Sequence, residues 1–96
     1  MCEFKIINET DGSQIAEDIL ILSYTDDNEL VLKDVLGMGE RLESALIFNV
    51  NTMNQKCIVI QHPLIKEFLG LIKNVKDNKI NTEQVEHFQK SLEKLK

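Results

Sequence analysis

The sequence predicts a mainly β fold, a small β-barrel of about six strands followed by two C-terminal α-helices. Two observations predict it. Short apolar segments in the first 61 residues are separated by turns roughly every 8–12 residues, which is typical of a small barrel or sandwich. Beyond residue 61 the apolar period changes from that of a strand to that of a helix. We therefore divide the 96-residue chain into a barrel, residues 1–61, and a helical extension, residues 62–96.

The strand segments of the barrel are short and bounded by turn residues. Apolar and β-branched side chains dominate residues 2–8, 15–24, 29–34, 44–50 and 56–61, and residues 40–43 lead into residues 44–50. Asp11-Gly12 predicts the positive φ of a tight hairpin. Gly37-Met38-Gly39 lacks the third glycine of a phosphate-binding loop, so we predict a turn or bulge there.

The helical extension has two start signals. His62-Pro63 predicts the start of the first helix, because proline suits the first helical position. Asn81 predicts the N-cap of the second helix, with Gln84 reaching back as in a capping box. The second helix carries an apolar stripe, whereas apolar residues cover more than half of the first.

The distribution of apolar residues predicts a homodimer. Residues 45–50 and 57–60 are apolar on both faces, although a small barrel buries only its inner face. An exposed apolar patch of more than a few hundred Å² is uncommon on a soluble monomer. The broadly apolar first helix can cover this patch within one chain or across a dimer interface.

The charge of the chain argues against nucleic acid as a partner. The net charge is −5, with −7 in residues 1–61 and +2 in residues 62–96. An acidic body repels phosphate, whereas the basic extension either docks on an acidic surface or is a solvated helical face. The sequence has neither an apolar run of about 20 residues nor a signal peptide, so we expect no membrane segment and a cytoplasmic location.

The two cysteines differ in their surroundings. Cys2 lies beside backbone nitrogen atoms and the amine of Met1, and sulfur with nitrogen donors in one plane suits Ni(II) or Cu(II). The alternative is that Cys2 is a small hydrophobic residue that begins the first strand. Cys57 lies in an apolar run that predicts core packing. A disulfide between the two is disfavoured in a reducing cytosol.

The sequence contains no recognisable catalytic or zinc-binding motif. It has no CxxC, HxxxH or HExxH, and His62 and His87 have no partner at ligand spacing. Asp26, Asp27 and Glu29 fall in a turn, where solvation accounts for them. We therefore expect a protein that is not an enzyme.

Five segments of the chain carry a resemblance to a known family: Met1-Cys2-Glu3, Glu17-Asp18-Ile19, Leu32-Lys33-Asp34-Val35-Leu36-Gly37, Ala45-Leu46-Ile47 and Ile58-Val59-Ile60. In these segments the chain resembles the CooT-type small nickel-binding proteins, a family also catalogued as predicted RNA-binding proteins. The resemblance implies an SH3-like barrel, a homodimer, and a nickel site formed by Cys2 with backbone nitrogen atoms of Met1 and Cys2. It also implies a client metalloenzyme, since the family is linked to nickel delivery for carbon monoxide dehydrogenase. Residues 62–96 extend beyond the family core.

Two alternatives remain beside this resemblance. Hydrogenase maturation chaperones of the HypC type also begin Met-Cys, form a small barrel and end in a helix. That family typically continues with Pro-Gly, whereas this chain continues with Phe4-Lys5-Ile6-Ile7. The other alternative is a protein- or RNA-binding module without metal, although the −7 charge of residues 1–61 argues against RNA.

Overall fold

The computed structural model describes residues 3–79 and 81–96 of the chain. Seven strands are followed by two helices, so the fold is mainly β with two C-terminal helices, as the sequence predicts. The elements are β1 (Phe4–Asn8), β2 (Gln14–Ile19), β3 (Ile21–Tyr24), β4 (Leu30–Lys33), β5 (Gly39–Leu42), β6 (Ala45–Asn51), β7 (Lys56–Gln61), α1 (Pro63–Lys76) and α2 (Thr82–Glu93).

The strands form two sheets. One has the order β2-β1-β7-β6 and the other the order β3-β4-β5. β1 and β7 are parallel, which joins the two ends of the β region, while the remaining neighbours are antiparallel. Within the described residues, these pairings leave the two sheets separate rather than joined into one closed cylinder.

The structure has one strand more than the sequence predicts, because the segment 15–24 is divided between the sheets. β2 pairs with β1, and its register shifts near Asp18, which has a positive φ of 59°. Leu20 then donates its N–H to the carbonyl of Lys33, 2.9 Å away, and β3 continues along β4. The apolar run Ile19-Leu20-Ile21-Leu22 is therefore where the chain passes from one sheet to the other.

The two sheets share one core. Five buried residues come from the four-stranded sheet and two from the three-stranded sheet. They are Ile6, Ile19, Ala45, Cys57 and Val59, together with Leu30 and Leu32. Burying a large apolar side chain contributes about 1.5–3 kcal/mol, so this shared cluster stabilises the packing of the two sheets against each other.

Glycines set two of the turns, as predicted. Gly12 has a φ of +72° in the β1–β2 hairpin. In the turn after β4, Gly37 has a φ of +80°, and the Asp34 carboxylate accepts hydrogen bonds from the backbone N–H groups of Leu36 and Met38. A Cβ on Gly39 would lie 1.6 Å from the carbonyl oxygen of Leu32, so the close approach of β5 to β4 requires glycine. Gly37 and Met38 therefore lie in the turn, and Gly39 begins β5.

Both helices begin where the sequence predicts. His62 caps α1, its Nδ1 accepting a hydrogen bond from the N–H of Leu64 at 3.1 Å. Asn81 caps α2 in the same way through the N–H of Gln84 at 2.7 Å. The reciprocal half of the capping box is replaced, because Gln84 Oε1 accepts from Asn74 on α1 at 2.7 Å and ties the two helices together. Neither of these described helices has the length and apolar character needed to span a membrane.

Ser44 joins the helical hairpin to the sheet. Its backbone carbonyl accepts a hydrogen bond from the N–H of His62 at 3.0 Å. Its hydroxyl donates to the carbonyl of His62 and accepts from the N–H of Lys66 at 2.9 Å. These three bonds set the direction in which α1 leaves β7.

Candidate functional site

The predicted metal ligands, Met1 and Cys2, lie outside the described residues. The described chain starts at Glu3, and β1 starts at Phe4. The nickel site therefore stays a prediction from the sequence, and the surroundings of Glu3 are the nearest described region along the chain.

A surface cavity of about 270 Å³ lies at the start of β1. It is lined by Glu3, Lys5, Asp18, Asn54, Gln55 and Lys56. The parallel pairing of β1 with β7 places Lys5 opposite Lys56, and the Lys5 N–H donates to the Gln55 carbonyl at 2.9 Å. The lining of the cavity combines two carboxylates and two amides with the ammonium groups of two lysines, and none of these residues offers a sulfur donor for Ni²⁺. A nickel ion would need sulfur and nitrogen donors from other residues.

Cys57 is a core residue, as predicted. It is fully buried on β7, where it is paired with Ile6 on β1 and Val50 on β6. Burial raises the pKa of the Cys57 thiol above its ordinary value of 9.0. Since a metal binds the thiolate, both burial and the raised pKa make Cys57 a poor ligand.

The two histidines have structural partners. His62 caps α1 through Nδ1, which uses the lone pair that a metal would need at that nitrogen. His87 on α2 places Nε2 3.2 Å from a carboxylate oxygen of Glu67 on α1. The pair links the two helices. In the described ranges 3–79 and 81–96, no three His, Cys, Asp or Glu side chains converge as metal ligands.

The interpretation of Glu29 as a solvated turn residue is wrong. Its exposed fraction is only 8%, and its carboxylate lies 3.0 Å from the guanidinium of Arg41 and 3.8 Å from the ammonium of Lys66. Arg41 is on β5 and Lys66 on α1, so the carboxylate links the three-stranded sheet to the first helix. The local sequence does not predict this role of Glu29, because Arg41 and Lys66 are distant from it in the sequence. The turn residues Asp26 and Asp27 are exposed, as predicted.

An apolar groove runs between α1, α2 and β6. Its volume is about 340 Å³, and it is lined by Leu46, Leu64, Ile65, Phe68, Leu69 and Phe88. The rings of Phe68 and Phe88 contact each other across the two helices, with centroids 5.9 Å apart. The helix therefore covers part of the outer face of β6, as the sequence suggests, but Leu46 and Phe68 remain nearly half exposed. A groove without polar groups can hold apolar side chains and cannot orient a polar substrate.

Comparison with known proteins found no family model and no curated protein that matches this chain.

Proposed function

We propose that this chain is a small nickel-binding accessory protein, or nickel chaperone, that binds Ni(II) through Cys2. The observation that carries the proposal is the contrast between its two cysteines. Cys57 is sealed in the core with a raised thiol pKa, which leaves Cys2 as the cysteine suited to metal chemistry.

The chemistry of the donor set supports nickel. The thiolate of Cys2 and backbone nitrogen atoms of Met1 and Cys2 provide soft and intermediate donors, which Ni(II) favours in a tetragonal arrangement. The nearest described cavity offers mainly oxygen donors, so it does not compete for the same metal. Bound nickel would be the cargo that this chain delivers to a client metalloenzyme, and the chain itself would catalyse no reaction.

The resemblance to CooT-type proteins supports the same function and adds a proposed SH3-like barrel. The single core shared by both sheets, and the passage of the chain from one sheet to the other at Leu20, favour such a barrel. The proposal includes a homodimer in the cytoplasm.

Nickel titration of two single variants tests the function. We expect a thiolate-to-nickel charge-transfer band in the wild type, loss of the band in Cys2→Ser and retention in Cys57→Ala. Alanine is the matched control, because it fits the apolar site of Cys57 without burying a hydroxyl. Equal loss of the band in both variants would contradict a site at Cys2.

A second candidate function is a protein-binding module that works without metal. The exposed apolar groove between the helices and β6 is the observation that favours it. In that case nickel affinity would not exceed background, and a partner would still be recovered by a Cys2→Ser variant. The acidic charge of residues 1–61 continues to argue against RNA.

A further inference from the structure

The helical hairpin, α1 with α2, presents one continuous apolar face to solvent. Phe68, Ile72 and Val75 lie within about 60° of arc on α1, since successive residues are about 100° apart. Phe88, Leu92 and Leu95 have the same spacing, with Phe88 and Leu92 on α2 and Leu95 in the turn that follows it. The three side chains on α1 are 46–48% exposed, Leu92 is 43% exposed, Leu95 is 60% exposed, and Phe88 is half-buried. The contact of Phe68 with Phe88 joins the two stripes into one hairpin face.

The hairpin face lacks the packing that normally stabilises helices of this length. Neither α1 nor α2 contains a fully buried residue. Helices of 14 and 12 residues are marginal in isolation and depend on burial of an apolar side. The groove beside Leu46 is a further unfilled part of the same surface.

The total surface area exceeds that of a compact monomer of the same mass. The chain exposes 6868 Å², whereas a compact monomer of 11.0 kDa exposes about 5,600 Å². The difference is about 1,300 Å², and a standard stable interface buries roughly 800 Å² on each partner, so the excess surface is large enough to include one. The radius of gyration is 15.3 Å, against about 12.5 Å for a compact chain of this length.

The charges of the two helices favour a second copy as the partner. α1 carries three lysines and one glutamate, a net charge of +2, and α2 carries three glutamates and one lysine, a net charge of −2. When two copies meet about a two-fold axis, α1 of each copy can lie beside α2 of the other. Opposite charges then flank the apolar contact at both symmetric positions.

We propose that the hairpin face is a homodimer interface, in which the hairpins of two copies pack as a four-helix bundle with α1 beside the partner's α2. This deepens the homodimer of the proposed function by naming the surface that forms it. It assigns dimerisation to residues 63–95, and the β-sheets lie at the two ends of the assembly. Four antiparallel amphipathic helices bury their apolar stripes against one another in this arrangement.

Sedimentation velocity at tens of micromolar tests the interface. The wild type is expected at twice the 11.0 kDa chain mass. Leu92→Glu and Ile72→Glu each place a charge in the proposed contact and should raise the dimer dissociation constant about 30-fold or more. Leu36→Glu is the matched control, because Leu36 is 79% exposed on the turn before β5, away from the hairpin, and should leave the dimer intact.

A monomeric wild type at that concentration, or equal weakening by Leu36→Glu and Leu92→Glu, would overturn the proposal. Circular dichroism of each variant establishes that the strands remain folded, and Ile72→Glu provides a second variant if Leu92→Glu does not fold. Nickel titration of monomeric Leu92→Glu separates the two proposals. A retained charge-transfer band supports nickel binding independent of the interface, whereas a lost band in a folded monomer would mean that the site requires the dimer.

Discussion

The Cys57 thiol should be protected from alkylation by the whole β fold. It is 0% exposed and lies on β7, which is hydrogen-bonded on both sides, to β1 and to β6. A reagent can reach the sulfur only when both ladders open, which amounts to unfolding most of the four-stranded sheet. Reaction should therefore proceed through a rare open state whose population follows the free energy of unfolding.

The size of this protection follows from the length of the chain. At the lower value of about 0.05 kcal/mol per residue, a 96-residue domain has a free energy of unfolding of about 5 kcal/mol. Since about 1.36 kcal/mol corresponds to a factor of ten, alkylation of Cys57 should be about 5,000-fold slower in the native protein than in urea.

The assay uses a Cys2→Ser variant, in which Cys57 is the only thiol. Iodoacetamide labelling at mildly alkaline pH is followed by mass spectrometry, with and without urea. A native rate within tenfold of the rate in urea would refute the reasoning, because it would mean that β7 opens without unfolding of the sheet. The Cys57→Ala variant reports on Cys2 alone, and nickel should slow its labelling if Cys2 is the ligand.

Three further predictions concern stability. Gly39→Ala should lower the free energy of unfolding by about 3 kcal/mol or more, because the added Cβ meets the backbone of β4. Gly70→Ala should raise the free energy of unfolding by up to about 1 kcal/mol, because the added Cβ has room and alanine favours a helix over glycine. Urea unfolding measures both changes. Glu29→Gln should lower the free energy of unfolding by about 1 kcal/mol, because it removes the negative charge that pairs with Arg41 and Lys66. If added salt did not reduce this difference between wild type and variant, ion pairing would not be its cause. Burial raises the pKa of Cys57 and of Tyr24 above 9.0 and 10.0, so folding favours their neutral forms. The stabilisation of the fold by these neutral groups is complete below pH 9 and is lost as pH rises through the raised pKa values. The Tm of the wild type should therefore fall above pH 9, and the Tm of Cys57→Ala should fall less steeply. Equal slopes of Tm against pH in the two proteins would contradict the role of Cys57.

Local sequence patterns predict the surroundings of some residues in the candidate site and not of others. The core position of Cys57 follows from the apolar run around it, because burial of a whole strand leaves a pattern within a few residues. The burial of Glu29 leaves no such pattern, since Arg41 and Lys66 come from other elements. Gln84 shows the same limit, because its position predicts a capping box, whereas the packing of α1 provides Asn74 as its partner.

By itself the sequence determined the local elements of this protein: the strand segments, the turns at Gly12 and Gly37, and the helix starts at His62 and Asn81. Those features depend on dihedral preferences and capping hydrogen bonds that act within a few residues. Only the tertiary structure decided that residues 15–24 serve two sheets, that β1 lies parallel to β7, and that the helical hairpin keeps an apolar face exposed. These features depend on strand pairing and burial between residues far apart in the chain, for which local patterns carry no information.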